Sequence, residues 1–129
     1  KRIPMANQYK GEIKGKLGDQ ERTFRLTFDN IINIEERSGK PIMTIANDLA
    51  LSKYSMKDMV IVLHEGLKGA GANIVQQAVG DMVIKTGIIE ASKLVGEVLA
   101  TIFTGDKKDK DSPLVQGENE QKSTQSSNT

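Results

Sequence analysis

Residues 9–39 read YKGEIKGKLGDQERTFRLTFDNIINIEERSG, and the spacing of their apolar side chains changes character at Phe28. Before that point the period is two. Tyr9, Ile13 and Leu17 fall on one side of an extended chain with Gly11 and Gly15, while Lys10, Glu12, Lys14 and Lys16 fall on the other. Beyond Gly18-Asp19 the alternation resumes, with Phe24, Leu26 and Phe28 facing in and Thr23, Arg25 and Thr27 facing out. Two alternating runs joined by a short glycine-containing connection predict a β-hairpin. Glycines within the first run predict a bulge or the close approach of another backbone. From Phe28 onward the period is helical. Phe28, Ile31 and Ile32 share a face, Ile34 extends it, Thr27 or Asp29 caps the start, and Gly39 before Lys40-Pro41 ends it.

The rest of the chain repeats the helical signal. A short helix opens at Pro41 and carries Ile42, Ile45, Ala46 and Leu49. After a linker from Ala50 to Tyr54, Ser55-Met56-Lys57-Asp58 resembles a capping box with Asp in the last position. The helix it opens places Met56, Met59, Val60, Leu63 and Leu67 on one stripe. Gly66 to Ala72 reads as a flexible break, and Asn73 to Gln76 as a second capping box. The helix it opens turns Ile74, Val75, Ala78, Val79, Met82 and Val83 inward, with Gly80 weakening it. Lys85-Thr86-Gly87 interrupts, and a last helix from about Ile88 to Phe103 buries Ile88, Ala91, Val95, Val98, Leu99 and Ile102 before Gly105 ends it. The fold class is therefore α+β: an N-terminal antiparallel β-hairpin followed by a bundle of about five short helices.

One domain is expected over residues 5–105. In residues 106–129 only Leu114 and Val115 are substantially apolar, which predicts a disordered polar tail, because so little burial cannot offset the entropy of ordering. Lys1-Arg2-Ile3-Pro4 precede Met5-Ala6-Asn7, which reads as a natural start, so residues 1–4 are taken as a cloning remnant.

Composition narrows the function classes. There is no cysteine, hence no disulfide, thiol nucleophile or thiolate metal site. Eighteen Lys and Arg face 17 Asp and Glu, for a net charge of +1, without the clustered basic surface of a phosphate-backbone binder. Lys10, Lys14, Lys16 and Arg25 on the hairpin's outer face read as the solvated side of an antiparallel sheet, so nucleic acid is disfavoured. No apolar run reaches the length of a membrane span, and no cleavable signal peptide is visible.

His64 is the sole histidine; with no nucleophile at a recognisable offset, it reads as a partly exposed helix residue. Gly69-Ala70-Gly71 follows a helix rather than a strand, which is the wrong context for a phosphate loop. Asp29, Glu35, Glu36 and Asp48 show no metal-ligand spacing. No catalytic, cofactor or metal site emerges, and the chain reads as a non-enzymatic domain that binds other proteins. Candidate interaction residues are Met56, Met59, Leu63, Val95, Leu99 and Ile102, with methionine supplying adaptable apolar surface.

The order of segments carries a resemblance. Met5-Ala6-Asn7-Gln8-Tyr9-Lys10-Gly11-Glu12 leads into the hairpin ending Thr23-Phe24-Arg25-Leu26-Thr27-Phe28. Ile34-Glu35-Glu36-Arg37-Ser38-Gly39-Lys40-Pro41-Ile42 follows, and later Val62-Leu63-His64-Glu65-Gly66-Leu67. This resembles the phage tail protein family of gene transfer agents and related siphophages, known both as tail tube protein and as tail assembly chaperone. The resemblance implies a role in tail morphogenesis, with the tape-measure protein and the tail tube protein as partners and self-association as a further expectation. It implies a place in the cytoplasm of the bacterial host during assembly, or in the virion for a tube subunit. Tube subunits are expected to be rich in sheet, so the helical pattern favours the chaperone. A structural tube or connector subunit is the alternative, and a small nucleic-acid binder a further one.

Overall fold

The computed structural model describes residues 11–104. The expectations for residues 1–4, for Tyr9 and Lys10, for Gly105 and for the tail at 106–129 lie outside the described residues. Seven elements follow one another: β1 (Ile13–Leu17), β2 (Gln20–Phe24), α1 (Phe28–Ser38), α2 (Ile42–Ala50), α3 (Met56–Gly69), α4 (Gln76–Thr86) and α5 (Ile88–Phe103). The α+β hairpin-then-helices architecture read from the sequence is the one observed.

β1 and β2 pair antiparallel, Ile13 opposite Phe24 and Leu17 opposite Gln20. Gly18 takes the left-handed φ of 71° that the two-residue connection needs. Leu17 and Phe24 are fully buried. The second strand ends sooner than its alternation suggested. At Arg25 the backbone leaves the hairpin and its N–H donates to the carbonyl of Gly66 on α3, at 2.9 Å. A helix competes for the next residues and wins. Thr27 caps α1, and Asn30 completes the box by accepting from the Thr27 N–H at 2.9 Å. The buried line of α1 is Asn30, Ile34 and Ser38. Phe28, expected inside, projects from the opposite side of this helix and is 75% exposed.

α3 is the centre of the molecule. Every residue from Asp58 to Leu67 is buried, because α1, α4, α5 and β2 pack around it. His64, expected to be partly exposed, is accordingly 8% exposed. The expected break at Gly66 is absent, and the helix runs on to Gly69. Both glycines serve close approach. A Cβ at Gly66 would meet the Phe24 ring at 3.3 Å, and one at Gly69 would overlap the Arg25 carbonyl and the Asn30 side chain. Their small size lets the chain cross α3 between hairpin and α1.

The remaining helices close the core. α2 has no side-chain cap, but the Glu35 carboxylate accepts from the Ile42 N–H at 2.9 Å. Ile45 is buried, while Ile42, Ala46 and Leu49 pack against the core. α4 begins at Gln76 without a side-chain cap, rather than through a box at Asn73. Val75, expected inside, is 68% exposed because it stands before the first turn; Val79 and Val83 bury the helix instead. A single residue, Gly87, joins α4 to α5, and Ile88 at the new helix start is half-exposed where burial was expected. Ala91, Leu94, Val95, Val98 and Leu99 form the inner face of α5.

Candidate protein-interaction surface

A buried ionic cluster fixes the helices that present the surface. Glu65 on α3 is fully buried, yet its carboxylate accepts from Asn30 at 2.9 Å, Asn33 at 3.3 Å and Arg37 at 2.7 Å, all on α1. Lys68 adds a weaker contact at 3.5 Å. Burial pushes the Glu65 carboxyl up, but the donors Asn30, Arg37 and Asn33 and the Lys68 charge together hold it below the usual carboxylate range. Arg37 also donates to Gln76 in the first turn of α4, so the cluster ties α1, α3 and α4 together. Beside it, His64 Nε2 is 2.7 Å from the Ile74 carbonyl, which clasps the lead-in to α4. At the other end of α3, Lys40 bridges to Asp58 at 2.8 Å and Asp48 at 3.5 Å.

These charged groups, of which Glu65 and Asp58 are buried, touch one another and neighbouring helices. Among the described residues no group of three or more His, Asp or Glu is placed to hold a metal ion. Among those residues, too, no helix is long and apolar enough to cross a membrane.

The sequence-derived candidates lie inward. Met59, Leu63, Val95 and Leu99 are buried in the core, and Met56 and Ile102 are partly buried against it. In this conformation they shape the frame beneath the surface more than the surface itself. The apolar side chains that meet solvent are others: Phe28 on α1, Met43 on α2, Leu51 just past it, Phe103 at the end of α5, and a group on and around α4. That group is Val75, Ile84, Ile88 and Ile89, of which Ile84 and Ile89 are 69% and 68% exposed. The sequence held one signal for Ile84 and Ile89: both fall off the buried stripes of their helices. A large apolar residue off the stripe is not covered by the helix packing of the described residues.

Beside this group lies an open groove of about 530 Å³ between the hairpin and the start of α5, bordered by Lys16, Asp19, Lys85, Glu90, Lys93 and Glu97. Lys85 pairs with Asp19 at 2.6 Å and Lys93 with Glu90 at 3.3 Å across its exposed walls. Charges of both signs around a shallow, wet groove suit a protein partner better than a small ligand, which needs a deeper apolar enclosure.

Fold and surface thus define a small, mostly helical α+β protein with an ionically pinned interior and apolar side chains turned outward on its helices. Residues 10–105 match the family described as phage tail tube protein, GTA-gp10, and the chain belongs to that family. No curated protein and no solved structure matches the chain. The resemblance to phage and gene-transfer-agent tail proteins therefore holds, and the chain is a phage tail protein by family.

Proposed function

We propose that this protein is a tail assembly chaperone, binding the helical tape-measure protein and tail tube subunits during tail morphogenesis. The observation that carries this reading is the balance of elements: five helices and a single two-stranded hairpin among the described residues. A tube wall is built by joining sheets between subunits, and so short a hairpin offers little to join. Exposed apolar side chains on helices, such as Ile84 and Ile89, suit the apolar stripe of another helix instead. In this reading residues 5–105 are the working domain and 106–129 an appendage. The protein acts by binding alone, in the host cytoplasm. Met59, Leu63, Val95 and Leu99 act from beneath by setting the helix positions, with Met56 and Ile102 at the margin.

The alternative is a tube or connector subunit, which the description of its family favours. Composition of the finished particle separates the two. The chaperone reading expects the protein to co-purify with the tape-measure protein when the two are co-expressed, and to be missing from purified tails by mass spectrometry. Its recovery from tails in many copies would replace this reading with the structural one.

A further inference from the structure

Gly80 is the one glycine within α4, and nothing among the described residues calls for it. Its φ is not left-handed, and a Cβ there would meet no atom of the described residues within 4 Å. Glycine weakens a helix relative to alanine, so this position has a cost with no return among the described residues. The glycines of α3 differ, since Phe24 and the Arg25 carbonyl press on them. A helical glycine facing open space leaves a hollow into which another molecule can fit.

Around that hollow the outer face of α4 is patterned. With Val79 and Val83 turned inward, Gly80 and Ile84 lie along one flank of the exposed side. Asp81 and Lys85, also one turn apart, lie along the other, and both are exposed. Ile84 is a 69% exposed knob next to a vacant hole, and Asp81 and Lys85 carry opposite charges. We infer that α4 is a self-association helix: two copies of this chain cross antiparallel, each seating Ile84 over Gly80 of the other.

A two-fold axis makes each flank meet the same flank of the second copy, in reversed direction. A crossing centred near residue 82 then sets Gly80 opposite Ile84 twice. The same register brings Asp81 near Lys85 of the second copy twice, because the two pairs share almost the same midpoint. Shape and charge are therefore self-complementary in a single arrangement, which points to a second copy over an unrelated helix. Lys85 also pairs with Asp19 of its own chain at 2.6 Å, but both are more than half exposed and Lys85 can turn between the two carboxylates. A helix of 11 residues is only about 16 Å long, so the interface falls at the small, weak end of the size range. The inference does not depend on whether the protein is a chaperone or a tube subunit.

Sedimentation velocity on the purified full chain, with no other phage protein present, tests it. The wild type should shift from monomer to dimer between micromolar and millimolar concentration. Gly80→Leu fills the hollow and should stay monomeric throughout, while its melting temperature holds or rises because no neighbour is crowded. Asp81→Lys sets like charges together and should weaken the dimer about tenfold. The double variant Asp81→Lys/Lys85→Asp should restore it. A wild type that stays monomeric throughout overturns the inference, and if Gly80→Leu then loses binding to another tail protein, the face belongs to that partner. A dimer that survives Gly80→Leu places the contact elsewhere and overturns it equally.

Discussion

Glu65 is the residue on which the interior turns. A fully buried carboxylate is tolerable only when its charge is matched and its lone pairs are filled, and Asn30, Asn33 and Arg37 do both. Replacing it by alanine leaves two amides and a guanidinium without their acceptor. Urea unfolding should show Glu65→Ala destabilised by about 3 kcal/mol; Arg37 is partly exposed and recovers some hydration, which keeps the loss at the lower end for a broken buried pair. A pH dependence follows from the same contacts. Glu65 is held below the usual carboxylate range in the folded chain, so in acid the unfolded state binds more protons. Its contribution is complete above the ordinary carboxylate pKa and is lost as pH falls through the depressed folded value. The drop in unfolding free energy between neutral pH and pH of about 3 should therefore be smaller in Glu65→Gln than in the wild type. An equal drop in both would assign the acid sensitivity to other carboxylates.

Among the elements, the meeting of hairpin and α3 is the tightest fit. The chain between β2 and α1 crosses α3 where Gly69 leaves no side chain in the way. Gly69→Ala drives a methyl group into the Arg25 carbonyl and the Asn30 cap, and should cost about 3 kcal/mol or more, visible as a lowered thermal midpoint. A midpoint unchanged from wild type would mean that the crossing relaxes freely. Within the same core, Leu99→Ala on α5 should cost about 2–5 kcal/mol, since that side chain is 2% exposed.

Sequence periodicity located these elements well wherever one face of an element is wet. The hairpin, α1, α2 and α5 each keep an exposed side, and their patterns were legible. Periodicity failed at α3, where Ile61, Val62, His64, Glu65 and Gly66 lie off the apolar stripe and are nonetheless buried. An element surrounded on all sides has no wet face to betray its orientation. It failed again at Phe28, whose alternation with Phe24 and Leu26 was accidental once the Thr27–Asn30 cap had started a helix. The interaction candidates lie inward for a related reason. An apolar stripe marks what a helix buries, and Met59, Leu63, Val95 and Leu99 are buried in their own domain. The large apolar residues that stay exposed on α4 and α5 include exceptions to the stripe, Ile84 and Ile89.

For the whole molecule, the burial of α3 sets an order of opening. Backbone amides in a helix enclosed by four other elements exchange with solvent only when those elements separate, which amounts to global unfolding. α2 sits at the other extreme. It buries only Ile45 fully, touches α1 and α5 alone among its stronger contacts, and reaches α3 only through the partly exposed Lys40 between Asp48 and Asp58, so it can lift with little effect on α3. Native-state hydrogen exchange should therefore find the amides from Met59 to Leu67 the slowest, with opening energies equal to the unfolding energy from urea. Those of α2 should exchange faster, through local opening that depends little on urea. Glu65→Ala provides the internal control: it should speed exchange in α3 by the full loss of global stability and leave α2 nearly unchanged. Equal protection of α2 and α3 would mean that the domain opens as one unit. The ranking bears on the proposed chaperone role, because presenting helices to a client would need a core that stays shut while the outer helices adjust.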